Sequence, residues 1–228
     1  MRQPDTQEHD PPRPITVLIV DDDPLVRTGW HAILETEPDI AVVGESEDGA
    51  EVRDLVLRVT PDVVIMDVRM PRVDGISATR HLLATVPAAP RVLVVTTFGN
   101  DDYVYDALRA GASGFLLKRC PADELVRAVR TVAAGDSLLF PEAIRSLAAA
   151  HARPAGDWLR SAGLTEREAQ VLREIAAGKS NAEIGADLYL SVETVRTHVR
   201  NVLGKLGVRD RTQAVIAAYE SGFVIPGG

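Results

Sequence analysis

The chain has 228 residues, of which 46% are hydrophobic and 25% charged, and its formal net charge is −8. This length fits one large domain or two small ones, and no apolar run is long enough for a transmembrane helix or a signal peptide, so we expect a cytoplasmic protein. The single Cys120 excludes an intrachain disulfide and a CxxC metal site. We expect a small buried or half-buried apolar side chain there rather than a catalytic thiol, because nothing marks a partner base.

The first part of the chain alternates between strand and helix patterns. Residues 1–14 are polar and Pro-rich, which predicts a disordered tail. From residue 15, short Val- and Ile-rich runs alternate with segments of helical spacing, as in parallel α/β folds. The alternation predicts a parallel sheet covered by helices on both faces, and the fold we expect for residues 15–138 is the flavodoxin-like (βα)5 arrangement, whose strand order is 2-1-3-4-5. The expected strands are 16–20, 41–44, 63–66, 91–95 and 115–117.

The second part contains no strand pattern. Residues 139–161 begin with helical spacing and then contain Ala, Pro and Gly without a strand pattern, so they are predicted to form a linker. From there the spacing is helical throughout, and capping sequences divide it, so we expect an all-α four-helix domain over 162–228. The signals in chain order are the Thr165–Glu168 and Ser180–Glu183 capping boxes, the Gly178 stop, the Ser191 N-cap, the Gly207 stop and a last helix over about 210–221.

Carboxylates follow the first and third predicted strands. TVLIVDDDP runs from a strand into Asp21, Asp22 and Asp23, and VVIMD ends in Asp67. In a doubly wound sheet of this order, strands 1 and 3 flank the crevice that binds ligands. Asp21, Asp22 and Asp67 are therefore expected to hold Mg²⁺, which prefers oxygen ligands. Asp23 precedes Pro24 and is expected to cap the first helix instead.

A phosphate-binding pair accompanies these acids. Thr96 ends strand 4 and Lys118 ends strand 5, so both point at the same crevice. A Lys ammonium binds phosphate as a point charge, and a hydroxyl donates one hydrogen bond to a phosphoryl oxygen. Asp is a residue type that forms covalent intermediates, which for Asp67 would be an acyl phosphate. The set predicts a phosphoacceptor site.

Four motifs of this half resemble those of the receiver domain of two-component response regulators: DD (21–22), VVIMDVRMPRVDG (63–75), VVTT (94–97) and GASGFLLK (111–118). The resemblance covers residues 15 to about 135 and implies roles for individual residues. Phe115 is either a switch aromatic or an ordinary core residue. The implied roles are Asp67 as phosphoacceptor, Asp22 as direct metal ligand, Asp21 as supporting acid, Arg69 as a metal ligand through its backbone carbonyl, Lys118 as phosphate partner, and Thr96 with Phe115 as the switch pair.

The second half contains a helix-turn-helix pattern in SNAEIGADLYLSVETVRTHVRNVLGKLGV, where two capped helices are joined by a short turn. One apolar stripe on the second helix is predicted to be core: Val192, Val195, Val199, Leu203 and Leu206. The opposite face is either an ordinary solvated surface or the surface that reads DNA bases. Base or groove contacts are expected from Arg196, Thr197, Arg200, Asn201 and Lys205, and phosphate contacts from Lys179, Ser180, Thr194, His198 and Arg209.

Residues 164–222 are similar throughout to the LuxR-type helix-turn-helix, and the whole chain after its tail resembles the NarL/FixJ class of response regulators. The resemblance implies that a sensor histidine kinase phosphorylates Asp67 with Mg²⁺, changing the surface around 101–134 and thereby dimerisation and binding to double-stranded promoter DNA. The chain would assist its own phosphotransfer without being an enzyme in the ordinary sense. The last helix would contribute to a homodimer, or pack within its own domain, through Val215, Ala218 and Tyr219.

Two other interpretations remain open from the sequence. VDDDP also has the D-x-D spacing of haloacid-dehalogenase phosphatases, with Asp21 as nucleophile and Asp23 as acid. That interpretation leaves Asp67 unexplained, and Pro24 and Leu25 stand where those enzymes usually have Thr or Val. The other alternative keeps DNA binding but makes the first domain independent of phosphorylation.

Overall fold

The structure, a computed structural model, describes residues 13–97, 101–135 and 162–224. The predicted linker 139–161 and nearly all of the predicted tail 1–14 lie outside these ranges. The first domain contains β1 (Ile15–Val20), α1 (Pro24–Leu34), β2 (Ile40–Ser46), a 3-10 turn (Gly49–Glu51), α2 (Val52–Val59), β3 (Val63–Asp67), α3 (Gly75–Thr85), β4 (Arg91–Thr96), α4 (Asp101–Arg109), β5 (Gly114–Leu117) and α5 (Ala122–Ala134).

The five strands form one parallel sheet in the order β2-β1-β3-β4-β5, which confirms the predicted topology. Because side chains alternate between the two faces of a strand, each strand contributes to both faces of the sheet. Leu18 and Val20 belong to an apolar cluster on one face, whereas Val17 and Ile19 belong to a second cluster on the other. All four are fully buried, so the sheet has a core on both sides, as expected for a doubly wound fold.

The described part of the second domain, residues 162–224, contains four helices, as predicted: α6 (Glu166–Ala176), α7 (Asn181–Leu188), α8 (Val192–Leu206) and α9 (Arg211–Glu220). Both predicted capping boxes are formed, and Ser191 and Gly207 cap the two ends of α8. None of the helices in the described ranges is long and apolar enough to cross a membrane.

The predicted core stripe on α8 is wrong at Val192, which is 41% exposed. Helical side chains point toward the N-terminus of their helix, so a residue in the first turn projects beyond the packed surface. Val195 is fully buried, as predicted. Val202, which the prediction did not include, is also fully buried.

The two domains are in contact through α4 and α9. Their buried apolar side chains belong to one continuous cluster that includes Leu108 of α4 and Ile216 of α9. Val215, Ala218 and Tyr219 are all buried. The Tyr219 hydroxyl donates to the carbonyl of Ala176 in α6, so this side chain packs within its own domain in the described arrangement.

Candidate phosphoacceptor site and DNA-binding face

Three carboxylates meet at the carboxyl edge of the sheet, where β1 and β3 lie side by side. Asp21 follows β1 and is fully buried, and Asp67 ends β3 and is almost fully buried. Asp22 is exposed beside them, and one carboxylate oxygen of each residue lies within 4.8 Å of the others. The structure therefore brings together the three acids that the sequence predicted would share a crevice.

Lys118 lies between the two buried acids. Its Nζ atom is 2.6 Å from Asp21 Oδ2 and 3.1 Å from Asp67 Oδ2. Burial raises the pKa of Asp67, the attraction of Lys118 opposes this, and the nearby Asp21 adds to the rise. Burial would lower the pKa of Lys118, but its contacts with Asp21 and Asp67 raise the pKa overall. The ammonium is thus held charged and offsets the repulsion between the carboxylates.

The donor set fits a hard divalent cation. Every candidate ligand is a carboxylate or carbonyl oxygen, and Asp22 is exposed to solvent, so a bound Mg²⁺ would keep several water ligands. A cavity of about 420 Å³ opens at this point and is lined by Asp22, Arg69 and Tyr103 among others. The Arg69 guanidinium lies 5.6 Å from the centroid of the Tyr103 ring, so the loop after β3 contacts α4.

The two remaining predicted residues lie on the neighbouring strands. Thr96 ends β4 and is 4% exposed, and its carbonyl accepts a hydrogen bond from the Lys118 backbone amide at 2.8 Å. Phe115 in β5 is half-buried against the cluster that contains the α4 side chains. A half-buried ring at this position is compatible with a switch aromatic and with an ordinary core residue.

Asp23 and Cys120 take the structural roles that were expected of them. The Asp23 carboxylate accepts the Leu25 amide and caps α1, and Asp23 lies outside the three-acid cluster. Cys120 is half-buried, and burial, followed by the charge of Glu124, raises the pKa of its thiol. A thiol with a raised pKa is less ionised and therefore less nucleophilic.

Asp48, which was not predicted as a functional residue, supports the loop after β3. Its buried carboxylate accepts the backbone amides of Arg72 at 2.8 Å, Val73 at 3.2 Å and Ala50 at 2.9 Å. Burial opposes ionisation, but these donors hold the pKa of Asp48 below its usual value. The Asp-Gly pair at 48–49 was a turn signal, but nothing local indicated a partner 24 residues further on.

The face of α8 that is predicted to contact DNA bases, here called the reading face, is exposed. Arg196, Thr197, Arg200 and Asn201 all face solvent, and the only ion pair recorded for Arg196 in the described part of the chain is an exposed contact with Glu193 at 3.3 Å. Exposed pairs at this spacing contribute little, so the guanidinium is available to a ligand.

Other predicted DNA contacts have protein partners. Lys179 Nζ bridges Glu174 at 2.5 Å and Asp187 at 2.7 Å, and Lys205 Nζ lies 2.6 Å from the Glu168 carboxylate. The Nδ1 atom of His198 is buried and has no hydrogen-bond partner among the described residues, so only Nε2 could serve a phosphate. Ser180 and Thr194 are exposed at the helix starts.

Arg209 faces the first domain. One of its guanidinium nitrogens donates to the carbonyls of Ala89 at 3.1 Å and Pro90 at 2.5 Å. Burial lowers the pKa of Arg209, although Asp210 opposes this. A phosphate contact by Arg209 would require the domains to separate.

The Glu168 carboxylate is expected to make stability depend on pH. Glu168 is 4% exposed, and burial alone would raise its pKa. Lys205 and Thr165 nevertheless lower the pKa to about 2. The stabilisation is therefore complete above the unfolded pKa of about 4.3 and is lost as the pH falls toward 2. Because Lys205 remains partly exposed, we expect Glu168→Gln to cost about 1–2 kcal/mol at pH 7, measured by urea unfolding.

The matched control for Glu168→Gln is Glu183→Gln, which changes the equivalent capping box on an exposed surface. This control should leave the unfolding midpoint nearly unchanged. The difference in the free energy of unfolding between the wild type and Glu168→Gln should narrow from pH 7 to pH 3. A gap that stays constant over this range would rule out the ionised carboxylate as its source.

A polar network surrounds the contact between the domains, here called the docking seam (104–113 with 209–220). Gln213 Nε2 in α9 donates to the carbonyls of Leu108 and Ala112, both at 2.9 Å. Tyr105 donates to Glu220 at 2.7 Å, and Ser113 Oγ donates to Asp210 at 2.7 Å. The seam therefore fixes α9 against α4 and the segment before β5.

Comparison with known proteins gives the same division of the chain. The family described as "Response regulator receiver domain" matches residues 17–130, and the family "Bacterial regulatory proteins, luxR family" matches residues 162–218. The transcriptional regulatory protein LiaR of Bacillus subtilis (strain 168) is 40% identical over 210 residues, covering 92% of this chain and 99% of its own. DegU of Brevibacillus brevis is 38% identical over 225 residues, covering 92% and 95%.

A solved structure agrees along the chain. The crystal structure of the response regulator ChrA, from a heme-sensing two-component system, has 36% identity and a TM-score of 0.50, covering 92% of this chain and 99% of its own. The acid cluster of the first domain, the helix-turn-helix of the second domain and the relatives of matching length all indicate the same family. The chain belongs to the NarL/FixJ class of two-component response regulators, with a receiver domain followed by a LuxR-type DNA-binding domain.

Proposed function

We propose that a sensor histidine kinase phosphorylates this chain on Asp67 in the presence of Mg²⁺, and that this controls its dimerisation and its sequence-specific binding to promoter DNA. The observation that carries the proposal is the Asp67 carboxylate, placed beside Asp21, Asp22 and Lys118 in a chain with an exposed helix-turn-helix. We place the receiver at 15–138, the linker at 139–161 and the DNA-binding domain at 162–228.

Phosphoryl transfer would depend mainly on positioning and charge neutralisation. An Asp67 carboxylate oxygen attacks phosphorus, a P–O bond forms, and the P–N bond to the kinase histidine breaks. Asp22, Asp67 and the Arg69 carbonyl would bind Mg²⁺, with Asp21 in support. When bound, this cation would supply neutralisation of the developing charge. Lys118, already 3.1 Å from Asp67, would pair with the new phosphoryl group.

The signal would pass from the phosphoryl group through α4. Thr96 would donate its hydroxyl to a phosphoryl oxygen, and the loop that joins β4 to α4 would move with it. Phe115 would turn inward with the same change. The opposite side of α4 forms the docking seam with α9, through Tyr105 and the Leu108 carbonyl. A phosphoryl group can weaken this seam only by stabilising the undocked arrangement more than the docked one.

Phosphorylation would act on dimerisation rather than on access to the reading face. Arg196 and Thr197 are exposed while α9 is docked against the receiver. In contrast, Gln213 and Glu220 of α9 are engaged by the receiver. A dimer that pairs through α9 would therefore require the seam to open, whereas a single DNA-binding domain could meet a half-site without this change.

The direct test is incubation with acetyl phosphate and Mg²⁺. A stable acid-labile adduct, with a shift toward dimer and tighter DNA binding, supports the proposal. Continuous turnover of the phosphodonor that is lost in Asp21→Asn would instead indicate a phosphatase. DNA binding without any adduct would indicate a receiver that acts independently of phosphorylation. Selecting bound DNA from a random pool, with and without the phosphodonor, would supply the target sequence.

Arg196→Ala should lose sequence discrimination. An Arg that contacts a guanine in the major groove contributes about 1–3 kcal/mol to discrimination against the wrong base. The measurement is the ratio of affinities for the selected duplex and for a scrambled duplex of equal length.

The comparison variant for Arg196→Ala is Lys179→Ala. The Lys179 ammonium pairs with Glu174 and Asp187 in the described arrangement, so it would reach a phosphate by exchanging these partners. Such a contact carries no sequence information, so this variant should weaken both duplexes alike and reduce the salt slope by about one. An unchanged affinity ratio in the Arg196 variant would remove this residue from base reading.

A further inference from the structure

The turn between α7 and α8 presents an aromatic side chain that the fold does not use. Tyr189 is 95% exposed, the largest exposed fraction among the large hydrophobic residues of the described chain. Its backbone has φ 56° and ψ 45°, in the left-handed region. Bulky residues rarely occupy this region, because their Cβ atom crowds the backbone. Neither packing nor backbone preference explains a Tyr at this position.

Other helix ends in the described chain use different residues for the same conformation. Gly135 ends α5 and Gly207 ends α8 with positive φ angles, and neither has a Cβ atom to be strained. Thr60, which ends α2, is the other non-glycine cap of this kind, with φ 43°. An unpacked, strained aromatic residue is a reason to look for a function, because strain persists where the surroundings or selection require it.

The turn holds Tyr189 in a fixed direction. The Leu190 amide donates to the Gly185 carbonyl at 2.8 Å. A Cβ atom added at Gly185 would lie 2.8 Å from the Leu190 carbonyl oxygen, so the chain closes tightly there. Leu190 packs against the core, and Tyr189 is left pointing into solvent.

Tyr189 stands beside the end of α8 that enters DNA in this type of domain. Ser191 caps α8 two residues later, and Val192, the first residue of α8, is 41% exposed. In a helix-turn-helix the N-terminal end of the second helix enters the major groove while the first helix crosses the phosphate backbone, so the turn between them lies at the edge of the groove. Ser191 and Thr194 place two further hydroxyls at this corner.

We propose that Tyr189 is a DNA-contact residue, whose ring packs on a deoxyribose while its hydroxyl donates to a phosphate oxygen. The proposal rests on DNA binding by this domain. A phenol has an apolar face and a polar edge, which match the sugar and the phosphate of one nucleotide. The docked receiver leaves Tyr189 exposed, so this contact is available in both arrangements of the domains.

The test uses full-length protein and a duplex that it has selected from a random pool. Tyr189→Asn removes the ring but suits the left-handed backbone, so the melting temperature of the protein should rise by about 2–4 °C. Affinity for the duplex should nevertheless fall about tenfold, and Tyr189→Phe, which loses only the hydroxyl, should cost about threefold. The salt slope should stay at the wild-type value because no charge is removed.

Thr60→Asn is the matched control, since it relieves the same backbone conformation on the receiver. This control should stabilise the protein and leave the DNA affinity unchanged. Wild-type affinity in Tyr189→Asn would overturn the proposal for Tyr189 while leaving DNA binding intact. Failure of the wild-type protein to retain any duplex would overturn the DNA-binding function and this contact with it.

Discussion

Asp67→Asn should abolish the acid-labile adduct that acetyl phosphate and Mg²⁺ form with the wild-type protein. An amide oxygen is a far weaker nucleophile than a carboxylate, and Asn offers no other group at that position. The adduct should fall below detection, as measured by intact mass or radiolabel retention. The shift toward dimer that depends on the phosphodonor should disappear with it.

A loss of stability should not account for the missing adduct in Asp67→Asn. Asp67 is 3% exposed, and burial together with the nearby Asp21 raises its pKa. The ionised form of Asp67 is therefore unfavourable for the stability of the fold. A neutral side chain of the same shape should therefore leave the melting temperature unchanged or higher. Asp123→Asn, on the exposed first turn of α5, is the control and should keep the full adduct. An adduct that persists in Asp67→Asn would place the phosphoacceptor elsewhere.

Gly75→Ala should both destabilise the receiver and slow its phosphorylation. A Cβ atom at this position would overlap the Asp67 backbone carbonyl oxygen. The Gly75 amide also donates to the backbone carbonyl of Val68 at 2.9 Å, which holds the start of α3 close to the loop. Backbone atoms cannot rotate away as a side chain can, so α3 and the loop after β3 would have to move apart. We expect a loss of about 3 kcal/mol in the free energy of unfolding.

The same displacement would act on the site. Asp67 is connected to Gly75 through the loop that carries Arg69, and a misplacement of about 1 Å costs a reaction roughly 10²-fold. Adduct formation by Gly75→Ala should therefore slow by about this factor in the molecules that remain folded. The assay is the rate of labelling at a temperature well below the melting midpoint.

Gly29→Ala is the matched control for Gly75→Ala. A Cβ atom added there meets nothing within 4 Å, and the residue lies inside α1. Ala in an open helical position should stabilise the protein by about 0.5–1 kcal/mol and leave labelling unchanged. If both glycine variants behaved alike, close packing beneath Asp67 would not be the cause.

Features that depend on local pattern were predictable from the sequence. The number of strands followed from five apolar runs, and their order from the doubly wound fold that such an alternation favours. Asp23, Thr165, Ser180 and Ser191 cap helices because each offers a side-chain oxygen just before an apolar repeat. The position of the acid cluster followed from the rule that the carboxyl ends of parallel strands share one edge.

Features that depend on distant partners were not predictable. The Gln213 amide meets carbonyls more than 100 residues earlier in the chain, and no periodicity encodes that contact. Lys205 belongs by spacing to the basic face of α8, yet its ammonium pairs with Glu168, 37 residues away. Val192 has the spacing of a core residue but lies in the first turn of α8 and is 41% exposed. Each of these outcomes is decided by which surfaces meet in the folded chain.

The docking seam makes the receiver a tethered competitor of any second copy that would pair through α9. A domain joined by a short linker meets its partner surface at an effective concentration of the order of millimolar. A regulator present at about 1 μM would need to overcome a factor of about 10³, or roughly 4 kcal/mol, if the two contacts were equally favourable. The phosphoryl group would have to supply this difference through α4. Mutations that weaken the Gln213 or Glu220 contacts would lower the threshold for assembly without touching Asp67.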